Sequence, residues 1–155
     1  MIIEFNAGKR SPYDRIFSNF VPCKIKVNGD IYSTVEHAFQ ALKSHDSEHR
    51  AFVRVASRPG EAKRRGRAAR LRDDWEEVKY PIMVALLYLK FQDAVLQNEL
   101  LATEDAMIVE NAAAWDDCVW GIGRGGTGKN LLGKALMEVR DLIKKKQEPD
   151  MTVLA

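Results

Sequence analysis

The chain has 155 residues, and its 24 lysines and arginines against 22 aspartates and glutamates give a formal net charge of +2. A hydrophobic fraction of 46% beside a charged fraction of 30% describes a soluble globular protein and excludes a disordered one. No apolar run approaches the ~20 residues that a membrane-spanning helix needs, and the near-balanced charge argues against a dedicated nucleic-acid coat protein.

Length, cysteine count and the N-terminal residues predict a cytoplasmic single-domain protein. The N-terminus lacks the basic and apolar regions of a secretory signal. The two cysteines, Cys23 and Cys118, are too few for a disulfide scaffold and favour a reducing compartment. We expect one domain over residues 1–146, followed by a flexible C-terminal tail at residues 147–155.

The predicted elements begin with a small antiparallel β portion. Residues 2–5 favour a short strand, and Asn28-Gly29 is typical of a type I′ hairpin turn. Ser33 and Glu36 have the spacing of a capping box, which predicts an amphipathic helix of about three turns. Further helices are predicted at about residues 47–58, 61–71, 75–91, 94–101 and 130–145. Together these elements predict an α+β fold that is mainly helical.

Glu36, Gln40 and Lys43 share one stripe of the helix that begins near Ser33. The stripe borders the apolar face of that helix, so it is suited to line a cleft. The alternatives are that Glu36 only completes the capping box and that Lys43 is solvated. If Glu36 lies in the first turn, the helix dipole favours its ionised form.

Residues 58–72 form a basic stretch that the net charge conceals. They contain seven lysines and arginines against one glutamate. The stretch is either an exposed helix face or a surface that contacts phosphate or nucleic acid. It contains no aromatic side chain on which single-stranded bases would stack.

Residues 116–123 combine carboxylates, a large aromatic side chain and glycines. Asp116 and Asp117 can hold a sugar hydroxyl or an amine, and Trp120 offers a stacking surface for a base. The glycines allow a ligand to approach the backbone. Alternatively, Trp115 and Trp120 are core anchors beside glycine turns.

Residues 123–130 resemble the phosphate-binding P-loop of nucleoside triphosphatases. Asn130 stands where that motif has the serine or threonine that binds Mg²⁺, and no buried strand is predicted directly before the segment. We therefore expect no nucleoside triphosphatase. A glycine loop that offers backbone N–H groups to a phosphate ahead of a helix stays open.

A series of short motifs runs in order along the whole chain. They lie at residues 17–20, 34–43, 66–67, 74–75, 78–79, 83, 90–91, 100–103, 109–110, 117, 120–123, 128–134 and 136–140. In order and spacing they resemble the NADAR (YbiA-like) family over about residues 3–143. Each motif alone is weak, but the ordered set is specific.

The resemblance implies an N-glycosidase, an enzyme that hydrolyses the C1′–N bond between a (phospho)ribose or ADP-ribose and a nucleobase-like group. The implied substrates are ADP-ribosyl-guanine, carried by ADP-ribosylated DNA or RNA, or a ribosylamino-pyrimidine phosphate of riboflavin synthesis. The implied fold is compact and mainly helical with a small β portion. The alternative is a non-catalytic module that binds ADP-ribose or nucleic acid through residues 58–72.

The resemblance supports Glu36 and Lys43 as catalytic residues. A carboxylate near C1′ stabilises the oxocarbenium-like charge that builds as the bond breaks, and Lys43 would form an imine with the opened sugar. Asp117 is the third catalytic candidate and would orient Lys43, a sugar hydroxyl or the water. Expected substrate-binding residues are Ser18, Asn19, Phe20, Arg67, Trp75, Lys79, Trp120, Gly121 and Lys129. We expect no metal, no other cofactor and no membrane contact.

Overall fold

The computed structural model describes residues 1–8 and 10–155, and these divide into two compact units. Unit 1 comprises residues 1–18 and 91–148, and unit 2 comprises residues 19–90 and 149–155. Among the described residues, no helix combines the length and apolarity that crossing a bilayer requires.

Regular structure follows the predicted order, with mostly shorter elements. In chain order the elements are strand β1 (Ile2–Phe5), helix α1 (Asp14–Phe17), strands β2 (Ile25–Val27) and β3 (Asp30–Tyr32), helices α2 (Val35–Ala41), α3 (Ser47–Arg54), α4 (Pro59–Gly66), α5 (Trp75–Lys90) and α6 (Ala94–Leu101), strand β4 (Met107–Glu110), helix α7 (Leu131–Lys144) and a C-terminal 3₁₀ helix (Met151–Leu154). The predominance of helix beside a small antiparallel sheet confirms the predicted α+β class.

The hairpin of unit 2 forms where the sequence predicts it. Strands β2 and β3 pair antiparallel, with Val27 opposite Asp30. The two residues between them, Asn28 and Gly29, have φ angles of 52° and 85°. A type I′ turn requires positive φ at both central positions, so the residue types and the turn agree.

Helix α2 begins one residue later than the predicted capping box would place it. Its N-cap is Thr34, whose side-chain oxygen accepts a hydrogen bond from the backbone N–H of His37 at 3.1 Å. The expected Ser33–Glu36 box is therefore wrong, because Thr34 already supplies the cap. Glu36 is consequently free for another role. The helix is also shorter than three turns, and all seven of its residues are buried rather than one face alone.

Helix α4 ends before the predicted boundary at Leu71. It starts at Pro59, which suits a first helical position because proline lacks the N–H that would be unpaired there. Beyond Gly66 the chain turns at residues 67–68, and the N–H of Arg72 then bonds to the carbonyl oxygen of Lys43 at 2.9 Å. This bond ties residues 67–72 to the end of α2 instead of extending α4.

Unit 1 contains a strand pair that the sequence patterns do not predict. Strands β1 and β4 run parallel, with Ile3 opposite Ile108. Helix α7 packs closely against β4, since a side-chain Cβ at Gly133 would meet the carbonyl oxygen of Ile108. Phe5, Phe17 and Phe91 form the aromatic part of this core, with the Phe5 and Phe17 ring centroids 5.7 Å apart.

The P-loop-like segment is held to β4 by Asn130. This buried side chain accepts a hydrogen bond from the N–H of Glu110 and donates one to the carbonyl oxygen of Ile108, both at 3.0 Å. The residue that departs from the P-loop motif therefore satisfies backbone groups of a strand. The glycine-rich segment is accordingly part of the scaffold at this position.

The C-terminal residues depart from the expectation of a frayed tail. Asp150 caps the 3₁₀ helix by accepting a hydrogen bond from the N–H of Thr152 at 2.9 Å. Leu154 is buried, and its carbonyl oxygen accepts a hydrogen bond from the side chain of Asn28. This helix packs against α5 within unit 2, because apolar contact outweighs the cost of ordering a few residues.

We expect Asn130→Ala to lower the free energy of unfolding by about 1–3 kcal/mol, because a buried N–H and a buried carbonyl group would lose their partners. Urea denaturation followed by circular dichroism measures this difference. Asn98→Ala, at an exposed position of α6, is the control and should change stability by less than about 0.5 kcal/mol. Equal stability of the two variants would contradict the role given to Asn130.

Candidate active site

The candidate site of unit 2 is built on α2, which contacts α3, α4 and α5. Because these neighbours surround it, the polar residues of α2 are buried along with the apolar ones. Glu36 is 8% exposed and Gln40 is 5% exposed. The backbone N–H of Glu36 donates to the carbonyl oxygen of Asn19 at 3.1 Å, which fixes the first turn of the helix.

The Glu36 carboxyl lies in an environment that disfavours its charge. Burial raises the pKa of Glu36 above its ordinary value, while the hydrogen bond from Gln40 and the positive charges of Lys63 and Lys43 act against this rise. The Gln40 side-chain N–H donates to Oε1 of Glu36 at 2.8 Å. Loss of solvent is the largest of these effects, so the net direction of the pKa shift is upward.

Lys43 follows α2 and is half-buried. Burial lowers the pKa of its amine, the charge of Glu36 raises it, and the charges of Lys63 and Arg67 lower it further. The net direction is downward, so more of the amine is neutral than for a solvated lysine. A neutral amine is what a nucleophilic lysine requires.

Helix α4 brings cations and a close backbone contact to α2. Lys63 and Arg67 are four residues apart at the C-terminal end of α4, and the charge of each acts on Lys43. Within the described chain neither forms an ion pair with a carboxylate. Gly66, between them, lies directly against Gln40, since a Cβ there would meet the Gln40 side chain.

Three other cations of the basic stretch form ion pairs with carboxylates. Arg64 and Arg65 both bond to Glu61, at 3.0 and 3.2 Å. Arg72 bonds to both carboxylate oxygens of Asp74, which lowers the pKa of Asp74. The stretch therefore offers fewer free charges than its composition indicates. Lys63 and Arg67 are the two cations of the stretch whose charges lower the pKa of Lys43.

The remaining predicted site residues of unit 2 differ in burial and in their contacts. Asn19 is buried, its side-chain N–H lies 3.6 Å from the sulfur of Met83, and its Oδ1 has no partner among the described residues. Phe20 is 44% exposed. Trp75 is buried with its ring centroid 5.1 Å from that of Phe39, and Lys79 forms an ion pair with Glu76 at 2.5 Å. Trp75 thus contributes to the core.

In unit 1, four of the predicted residues share the loop between β4 and α7. Asp117 Oδ1 accepts hydrogen bonds from the N–H groups of Val119 and Trp120, both at 2.9 Å, and so shapes the turn that presents the half-buried Trp120. Gly121 is buried against Ala112, where a Cβ would lie only 2.6 Å from the alanine methyl. Lys129 is exposed.

Ser18, the other predicted residue of unit 1, ends helix α1. Its N–H donates to the carbonyl oxygen of Asp14 at 3.1 Å, and its side chain is half-buried. In residues 1–8 and 10–155, no group of three histidine, cysteine, aspartate or glutamate side chains is placed to hold a metal ion.

Sequence reasoning missed three residues that surround Glu36 and Lys43. Gln40 is on the predicted stripe but receives no role, and Lys63 and Gly66 are absent from the expected site. The spacing of four residues that links Gln40 to Glu36, and Lys63 to Arg67, is the available signal. Nothing local predicts that α4 packs on α2.

Known proteins resemble the chain over most of its length. A model of the NADAR domain matches residues 5–144. N-glycosidase YbiA of Shigella flexneri serotype 5b (strain 8401) is 45% identical over 128 residues, covering 81% of this chain and 79% of the relative. The NMR structure of the Escherichia coli protein YbiA superposes with a TM-score of 0.82 at 42% identity, covering 94% of this chain and 86% of that one.

A longer relative matches through one segment. The riboflavin biosynthesis protein PYRR, chloroplastic, of Zea mays is 38% identical over 145 residues. That match covers 82% of this chain but only 23% of the relative.

We expect Lys63→Met to raise the pKa of Glu36 and the pKa of Lys43 together, because the lysine charge lowers both. NMR titration of the Glu36 carboxyl carbon and of the Lys43 side chain measures the two shifts. Arg64→Met is the control, since Arg64 is exposed and paired with Glu61. Unchanged titrations in Lys63→Met would show that this charge does not act on the site.

Proposed function

Since the chain belongs to the NADAR domain family and is an N-glycosidase, we propose that it hydrolyses the C1′–N bond of a phosphate-bearing ribosylated base, with Glu36 and Lys43 as the catalytic pair. The observation that carries this proposal is the coupling of a buried carboxyl to a half-buried amine, each with its pKa moved toward neutrality. Such paired shifts are typical of acid–base and nucleophilic sites.

Glu36 supplies the negative charge that the reaction needs. Breaking the C1′–N bond leaves the electron pair on the base and builds positive charge on the sugar. An ionised carboxylate close to C1′ lowers the energy of that state, and it does so strongly where water is excluded. A carboxylate with a raised pKa is also a better base for the proton of an incoming nucleophile.

Lys43 supplies the nucleophile in this proposal. Its neutral amine attacks C1′, the base leaves with the bonding electron pair, and the amine proton passes through Glu36 to the base. Ring opening then gives an imine between Lys43 and the sugar, which water hydrolyses to release the free sugar and restore the amine. The lowered pKa of Lys43 supports this role, because only the neutral amine attacks.

Lys63 and Arg67 support a substrate that carries phosphate. Both are cations without a carboxylate partner in the described chain, and both act on Lys43. A phosphate or diphosphate of the substrate is the anion that such a pair would bind. ADP-ribosyl-guanine and a ribosylamino-pyrimidine phosphate both meet this requirement, and the name of the maize relative supports the second.

For unit 1 we propose that Trp120 provides an aromatic contact for a base. Asp117 supports this by fixing the backbone N–H of Trp120, so its role becomes that of shaping the loop. A half-buried ring on a constrained turn loses little conformational freedom when it stacks on a ligand.

We expect Glu36→Gln to lower kcat/KM for base release at least ~100-fold, because the amide cannot stabilise positive charge on the sugar. Chromatography of the free base after incubation with each of the two substrates measures this loss. Glu48→Gln, at an exposed position of α3, is the matched control and should retain full activity. A folded Glu36→Gln enzyme with normal activity would exclude Glu36 from catalysis.

We expect reduction with borohydride during turnover to link the sugar covalently to Lys43, because borohydride converts an imine into a stable amine. Peptide mass spectrometry identifies the modified residue. Lys43→Met removes the adduct and the activity, whereas Lys26→Met, at an exposed position of β2, keeps the adduct. Full activity of Lys43→Met would refute the imine step and leave the glycosidase assignment intact.

The same assay with two substrates selects the substrate class. Release of guanine from ADP-ribosylated DNA indicates a nucleic-acid-linked substrate, and release of the pyrimidine from the phosphoribosylamine indicates a metabolite. Binding of ADP-ribose or DNA that weakens steeply with salt, without release of either base, would instead favour the non-catalytic module.

A further inference from the structure

We propose that Gln40, held in place by Gly66, is a positioning residue that fixes the Glu36 carboxylate and keeps it ionised. This inference rests on the proposed function, in which Glu36 acts as a carboxylate. It assigns a role to a side chain that acts through the Glu36 carboxylate. Through Gly66, helix α4 then contributes a backbone contact to the site in addition to the cations Lys63 and Arg67.

The first observation is the direction of the hydrogen bond. The Gln40 side-chain N–H donates to Glu36 Oε1 at 2.8 Å, so the carboxyl is the acceptor of this bond. An ionised carboxylate only accepts, and hydrogen bonds to a charged group are stronger than those between neutral groups. In the reverse orientation, the Gln40 oxygen would face the carboxylate and repel it.

The second observation is what this orientation costs. The other end of the carboxamide, Gln40 Oε1, is buried and has no hydrogen-bond partner among the described residues. A buried oxygen without a hydrogen-bond partner destabilises the folded protein, because the oxygen has lost its bonds to water. The side chain leaves one of its own groups unsatisfied while it satisfies Glu36, which is typical of a functional constraint rather than of optimal packing.

The third observation is the steric lock on Gln40. A Cβ placed at Gly66 would overlap Oε1 of Gln40 and lie 2.8 Å from its amide carbon, so only glycine lets α4 approach this closely. Gly60, in the same helix, has no atom within 4 Å of such a Cβ. The close approach of α4 at Gly66 thus places its backbone against the carboxamide whose N–H donates to Glu36.

Several other charged groups act on Glu36 and do not replace Gln40. Lys63 from α4, Lys43 beyond the end of α2, and His37 next to Glu36 also favour the ionised form. These are charges without a hydrogen bond to the carboxyl in the described chain. Among the described residues, Gln40 both bonds directly to the carboxyl group and fixes its orientation. Removing Gln40 therefore changes the position of the Glu36 carboxyl group and raises its pKa.

The experiment measures the pH profile of kcat/KM for Gln40→Leu, which keeps the size of the side chain but removes the hydrogen bond. Activity falls as pH drops through the pKa of Glu36, because the carboxylate becomes protonated. Loss of Gln40 raises that pKa, so the acidic limb should move to higher pH, with roughly tenfold lower kcat/KM at its acidic end. Gln97→Leu, which removes a glutamine bond in α6, should leave the profile unchanged.

Gly66→Ala perturbs the same contact from the other helix. We expect it to displace the carboxamide and to move the acidic limb in the same direction as Gln40→Leu. Gly60→Ala is its matched control, since both are helical glycines of α4 and only Gly66 meets Gln40. If Gln40→Leu proves unstable, this pair of variants tests the inference without changing Gln40.

NMR titration of the Glu36 carboxyl in the same variants gives a readout that does not require turnover. A pKa that rises in Gln40→Leu and Gly66→Ala, but not in Gln97→Leu and Gly60→Ala, supports the inference. Unmoved titration and unmoved profiles in folded, active variants would overturn it. If the wild-type enzyme releases no base, the proposed function is contradicted and not the inference about Gln40. The NMR titration then still tests the effect of Gln40 on the pKa of Glu36.

Discussion

The burial of one carboxyl group on helix α2 is the constraint on which the rest of the site depends. Helices α3, α4 and α5 surround α2, so Glu36 loses the water that would otherwise stabilise its charge. The protein compensates with the hydrogen bond from Gln40 and with the charges of Lys63 and Lys43. Burial also lowers the pKa of Lys43, so one packing arrangement shifts the pKa of both members of the proposed catalytic pair.

At two places a glycine lets the backbone of one element lie directly against another element, and a polar side chain is buried at each contact. Gly66 lets α4 lie against Gln40, and Gly133 lets α7 lie against β4. Asn130 then satisfies two backbone groups of that strand. In the segment that resembles a P-loop, Asn130 and Gly128 therefore serve packing within unit 1, since a Cβ at Gly128 would meet the carbonyl oxygen of Gly121. The motif taken by itself would have predicted that the same residues bind the phosphate of a nucleotide.

Local patterns predicted the elements whose determinants are local. Asn28-Gly29 specifies its turn because both residues tolerate positive φ, and Asp93 caps α6 through its own side chain. Prediction failed where two local signals competed or where distant segments met. Ser33 and Thr34 are both residue types that cap helices, and in the structure Thr34 is the N-cap of α2. The parallel pairing of β1 with β4 joins residues more than 100 positions apart, for which no short pattern exists.

The sequence by itself determined the fold class, the family and the candidates Glu36 and Lys43, because these follow from residue types, helical spacing and ordered motifs. Tertiary structure alone decided the ionisation of those candidates. The direction of each pKa shift depends on how much solvent is lost and which charges lie near, and both are set by the packing of α4 on α2. It also decided that Trp75 belongs to the core and that Lys63, Gly66 and Gln40 belong with Glu36. Those assignments require contacts between helices, which a linear pattern does not contain.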